Sequence, residues 1–100
     1  MDSADGTVVV TKEMALTRAG FFRGIAKALG TEDYQETPAG IVLEKDGRRL
    51  EISLGPERRR RIALMEVEAM DVTLTFTGYA EDERTASIAA FDRAFQRGGG

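Results

Sequence analysis

Four consecutive arginines, Arg58 to Arg61, are the densest run of chemically distinctive side chains in this sequence. A guanidinium presents five donors in a planar fork that matches phosphate and carboxylate oxygens. The run is therefore a candidate anion or nucleic-acid site, with Arg49 joining it from a neighbouring strand. Strand geometry limits the idea. In an extended segment Arg58 and Arg60 point to one side and Arg59 and Arg61 to the other, so no more than about half of them share a surface. No aromatic residue is interleaved with the run, which removes the stacking platform that single-stranded nucleic acids use. The competing expectation is an edge strand kept soluble by its charges, with exposed ion pairs to Glu51 or Glu57.

Carboxylates are the second candidate group. Glu66, Glu68 and Asp71 could converge on a hard cation or form a glycosidase-like pair. Nothing like a calcium loop surrounds them, and a chain of 100 residues shows no evident cleft, so they read as a solvated acidic face. Tyr34 and Tyr79 flank the strand-rich region and read as amphipathic lids on the core. The four methionines are scattered gap-fillers. Histidine and cysteine are both absent. This removes the usual acid–base group near neutral pH, the thiol nucleophile and the commonest transition-metal ligands. No nucleophile–base pair stands at a meaningful spacing, so the expectation is a non-enzymatic protein without a cofactor or metal, and a carboxylate–arginine enzyme is the least supported alternative.

Length and composition set the frame. One hundred residues with 42% apolar and 31% charged side chains describe one globular domain, here residues 1–97, with Gly98-Gly99-Gly100 expected as a flexible tail. The net charge of −3 is uneven. Residues 44–61 hold seven basic and four acidic groups, while the segments on either side are acidic. Overall acidity argues against broad nonspecific binding to nucleic acid or anionic membrane. Apolar runs reach only about four residues where a membrane helix needs about 20. The acidic N-terminus lacks the basic and apolar regions of a secretory signal. A soluble, cytoplasmic protein is expected.

The elements that must position these residues can be read in order. A β-branched run predicts a first strand over Thr7–Glu13, with Val8 and Val10 on one face. Thr17 is a helix N-cap, and Leu16 with Phe21 occupies the positions of a hydrophobic staple. Phe21, Phe22, Ile25, Ala26, Ala28 and Leu29 form one stripe of a helix over Arg18–Leu29 that Gly30 terminates. Tyr34–Thr37 is either a short strand or a loop.

Asp46-Gly47 then predicts a type I′ hairpin turn pairing Lys45 with Arg48, Glu44 with Arg49, Leu43 with Leu50, Val42 with Glu51 and Ile41 with Ile52. That register turns Ile41, Leu43, Leu50, Ile52 and Leu54 inward. Arg59–Glu68 has no single apolar helical face, and its charge gradient opposes a helix dipole. A strand with a bulge or register ambiguity between Leu64 and Met65 is expected there. Val72, Leu74 and Phe76 alternate with Thr73, Thr75 and Thr77 in a further strand. Glu81, Asp82 and Glu83 open a last helix whose seam is Ile88, Phe91 and Phe95.

The resulting order, β-α-β(3–5)-α, predicts an α+β fold in which a curved antiparallel sheet carries both helices on one face. In order of elements it is similar to the β-α-β4-α arrangement of TATA-binding-protein-like domains, a likeness of fold that implies no function. The other face of the sheet, bearing Ser53, Thr73, Thr75 and Thr77, is expected to lie open. This directs the functional expectation to protein contact or self-association through the open face or an edge strand. Anion or nucleic-acid binding through Arg49 and Arg58–Arg61 is the alternative.

Overall fold

A computed structural model describes residues 6–96; the glycine tail expected at 98–100 lies outside the described residues. The elements run β1 (Thr7–Met14), α1 (Arg18–Leu29), β2 (Gln35–Glu36), β3 (Gly40–Lys45), β4 (Arg48–Leu54), β5 (Arg58–Ile62), β6 (Met65–Thr77) and α2 (Glu81–Gln96). The strands form one open antiparallel sheet in the order β1-β6-β4-β3-β2, with β5 also paired to β6. Both helices cover one face of it, giving the α+β architecture that the alternation of the sequence predicts. Tyr34–Thr37 resolves as the two-residue β2, which pairs with β3.

Local signals account for most of these boundaries. The Gly20 amide donates to Thr17 Oγ1 at 3.0 Å, and Gly30, at φ 76°, closes α1 in the left-handed conformation. At the α2 start the Ala80 amide donates to Glu83 Oε1 at 3.0 Å, the return half of a capping box. Asp46 and Gly47, at φ 55° and 79°, make the two-residue turn, and β3 and β4 pair in the register that turn dictates.

The core lies between the sheet and the two helices. Phe21, Ile25 and Phe91 from the helices meet Ile41, Leu50, Ile52, Met70, Val72, Leu74 and Phe76 from the strands. Leu54 and Ile88 join it from partly buried positions, while Leu43 is only half-buried. The helices approach closely at Gly24, where an added Cβ would stand 2.8 Å from the Phe95 ring. Gly24, which weakens α1 by propensity, thus serves the close approach of the helices, and tertiary contact outweighs the local cost. No helix among the described residues is long and apolar enough to cross a membrane.

The segment Arg59–Glu68 departs from expectation. It is not one bulged strand: the chain reverses at Ala63-Leu64, so that Ile62 pairs with Met65 and Arg58 with Ala69. The phase change in the apolar pattern marks a hairpin turn. No glycine, asparagine or aspartate announces it, and Ala63 itself takes φ 56°.

The bulge lies elsewhere. Leu54 pairs with Val72 and Arg58 with Ala69, so Gly55, Pro56 and Glu57 stand opposite only Met70 and Asp71. The Gly55 amide still donates to the Asp71 carbonyl at 2.9 Å. Pro56, which has no amide to offer a ladder, fits the interruption. β4 and β5 are therefore one long strand carrying one extra residue, and that residue inverts the facing of everything after it.

Candidate functional site

The inversion decides where the arginines go. In unbroken alternation Arg58 would share the helix-covered face with Leu54; after the bulge it shares the open face with Ser53. Arg58 and Arg60 accordingly turn to the open face, beside Glu13 of β1 and Asp71 of β6, while Arg59 and Arg61 turn to the opposite side, beside Glu66 and Glu68. Arg49, Ser53, Thr73, Thr75 and Thr77 all lie on the open face, since Ser53 pairs with Thr73 and Arg49 with Thr77 across β4 and β6. The structure thus gathers Arg49, Ser53, Arg58, Arg60 and the three threonines on one face and separates Arg59 and Arg61 from them.

Every one of these arginines meets a carboxylate of the same chain. Arg49 Nη1 donates to Glu44 Oε2 at 2.6 Å, and its Nη2 lies 3.8 Å from Glu51. Arg58 donates to both Glu13 and Asp71, and Arg60 to the other oxygen of Glu13. Arg59 reaches Glu66 at 3.1 Å and Glu68 at 3.9 Å, and Arg61 lies 3.6 Å from Glu66. The hydrogen bond to Glu13, followed by that to Asp71, raises the Arg58 pKa above its ordinary value.

The partners expected for the quartet, Glu51 and Glu57, are not the ones used. Glu51 serves Arg49, and Glu57 accepts from the Arg18 amide at the start of α1 at 2.7 Å. Glu13 lies 45 residues from Arg58 in sequence and becomes its neighbour only because β1 and β5 both flank β6. The carboxylates proposed as a cation site do not converge either. Glu66 and Glu68 are on the side of Arg59, and Asp71 is on the side of Arg58. Among the described residues no group of three acidic side chains is placed to hold a metal ion.

The open face itself is polar and internally bonded. Thr11 and Thr73 share a hydroxyl hydrogen bond at 3.2 Å, and Thr7 and Thr77 one at 3.4 Å. The large apolar side chain left exposed on it is Val9, at 60%.

The other large apolar side chains left in solvent are at the tip of the β5–β6 hairpin: Ile62 at 53%, Leu64 at 99% and Met65 at 65%. This arm is paired only within itself beyond Ala69, and residues 58–66 are all exposed. The sequence reading missed it, and the signal available was the phase change at Leu64-Met65. At its base, between the end of β1, the start of α1 and the end of α2, is a depression of about 940 Å3. Met14, Leu16, Gly20, Gly24 and Phe95 line it, and the ion pair of Lys12 with Asp92 at 3.2 Å sits on its wall.

A second polar cluster closes the far end of the sheet. Arg48 Nη1 lies 3.0 Å from Glu83, and its guanidinium stands over the Tyr79 ring at 5.7 Å. Tyr79 also meets Phe76 edge-on at 5.0 Å. Burial raises the Tyr79 pKa above the ordinary 10.0, with Arg48 opposing and Glu83 adding to the shift. Because the folded value is the higher one, the unfolded chain ionises first on raising pH. The stability this tyrosine contributes is complete below 10.0 and is lost as pH rises through the folded value. An alkaline titration followed by tyrosinate absorbance should show a component above 10.0 that Tyr79→Phe removes. Its persistence in that variant would contradict the assignment.

Comparison with known proteins returns no match to a protein family, a curated protein or a solved structure.

Proposed function

We propose that this is a non-enzymatic domain that acts through protein contact, associating with further copies of itself through an edge of its sheet and the adjoining open face. One observation carries this reading. The guanidinium groups that would have to hold an anion each lie beside carboxylates of the same chain, whereas Val9, Ile62, Leu64 and Met65 are left more than half exposed. An anion would have to compete with a neighbouring carboxylate at each arginine, but a protein surface would bury the apolar groups without disturbing an ion pair. A cytoplasmic setting belongs to the same reading, and a chain without cysteine suits it.

Sedimentation equilibrium of the full chain from micromolar to millimolar concentration tests this. The expected result is a reversible oligomer whose dissociation changes little between low and high salt, because main-chain pairing and apolar burial are weakly screened. A monomer over the whole range would overturn it. So would tight binding of a labelled oligonucleotide at low salt that disappears in the double variant Arg59→Ala, Arg61→Ala, since that outcome makes the arginines the functional groups.

A further inference from the structure

The two edges of the sheet are built differently. One ends in β2, only two residues long and followed two residues later by Pro38. Shortness and proline both discourage another chain from adding a strand. On the arm, four arginines in five residues of β5 serve the same end.

The opposite edge is β1. It pairs with β6 from Thr7↔Thr77 to Met14↔Met70 in one constant register without a bulge. Among the described residues no strand pairs with the outer side of Val8–Met14. Within Val8-Val9-Val10-Thr11 there is no proline, no glycine and no charge, so the usual protections of an edge are missing where β-branched residues are densest.

The local sequence is also symmetric. Thr7-Val8-Val9-Val10-Thr11 reads the same in both directions. Antiparallel pairing of two identical strands about a two-fold axis places each residue opposite the one equally far on the other side of the axis. With the axis at Val9, the half-exposed valine of the open face meets its own copy. Val8 meets Val10 of the second copy on the helix-covered side. Lys12 falls opposite Gly6, so the two lysines are not set against each other. Shifting the axis by one residue either way would lose the match of β-branched residues. Pairing through β5 would set arginine against arginine.

We propose that β1 is a homodimerisation strand. Two copies join antiparallel about Val9, and their sheets become one continuous sheet with six strands from each copy. This rests on the self-association reading above and specifies the surface and register by which it occurs.

The absence of cysteine from the chain makes the test direct. Val9→Cys places two thiols across the axis, where Cα atoms of facing residues in an antiparallel pair are about 4.5–5.5 Å apart, within disulfide reach. Under mild oxidation this variant should convert to a covalent dimer, while Leu64→Cys, at the arm tip, should not. Val9→Lys, at a position already in solvent, should retain the far-UV circular dichroism of the parent chain and weaken the dimer by at least about tenfold, because like charges then face one another. The double variant Leu64→Ser, Met65→Ser should leave dimerisation unchanged.

The outcomes separate. A dimer that is indifferent to Val9→Lys and does not cross-link through Val9→Cys overturns the β1 register but leaves self-association standing. Cross-linking through Leu64→Cys, with loss of the dimer in the serine variant, does the same and moves the contact to the arm. A monomer at every concentration overturns both.

Discussion

Phe21→Ala should destabilise the fold by about 3–5 kcal/mol, the range for truncating a fully enclosed aromatic side chain. Phe21 has no solvent exposure. Its ring meets Phe22 edge-on with centroids 5.1 Å apart and lies parallel to Phe95 at 5.9 Å. It therefore joins α1, α2 and the sheet at one point, and its loss opens a cavity that three elements would have to move together to close. A domain of this size has a total stability of about 5–15 kcal/mol, so the variant should show a measurable unfolded fraction under native conditions. Denaturant unfolding provides the check: the midpoint should fall with the slope unchanged. Phe22→Ala, at a half-buried position on the same turn, should cost clearly less. Equal losses would mean that the helix–sheet interface is not centred on Phe21.

Gly40→Ala should be as severe, by more than about 3 kcal/mol, for a different reason. Gly40 opens β3 opposite Ser53, and an added Cβ would stand 1.9 Å from the Ile52 carbonyl oxygen. That oxygen is main chain of β4, which is fixed by β3 on one side and β6 on the other, so it cannot rotate away as a side chain would. The residues around it are also tied. The Gly40 amide donates to Thr37 Oγ1 at 2.9 Å, the Thr37 amide donates to the Gly40 carbonyl at 2.9 Å, and the Leu54 amide donates to the Ala39 carbonyl at 2.8 Å. Relief of the clash must break this junction. Gly24→Ala makes a useful contrast. The atom it approaches belongs to the Phe95 ring, which can shift, and the expected cost is the about 1–3 kcal/mol of modest overpacking. Thermal unfolding of the two variants should rank Gly40→Ala well below Gly24→Ala, and the reverse order would contradict the close approach at Ile52.

For function, the arrangement matters more than the inventory of side chains. Arg58 to Arg61 are conspicuous because they are consecutive, yet the bulge at Gly55–Glu57 and the alternation of β5 distribute them over two faces. There each completes an ion pair inside the chain. Exposed pairs of this kind contribute little to stability individually. Their effect here is to neutralise the stem of the arm and to deny its β5 edge to another strand. What remains for a partner is the uncharged stretch Val8–Thr11 of β1.

The elements whose causes are local are legible in the chain itself. Thr17 and Gly30 bound α1, Asp46-Gly47 sets the β3–β4 register, and the alternation of Val72, Leu74 and Phe76 with three threonines assigns the two faces of β6. In each case the information lies within a few residues of the structure it specifies, as a cap, a turn or a period. Tertiary structure alone decided the rest. The turn at Ala63-Leu64 lacks a turn residue and exists because Arg58–Ile62 finds a partner in Met65–Ala69. The pairing of Arg58 and Arg60 with Glu13 depends on β1 and β5 flanking the same strand. The need for glycine at positions 24 and 40 arises from Phe95 and Ile52, which are remote in sequence. The same holds for the candidate site. The threonine face and the division of the arginines follow from strand period, but that no strand among the described residues pairs with the outer side of Val8–Met14 is a property of the assembled sheet, because an edge exists only once the order of the strands is set.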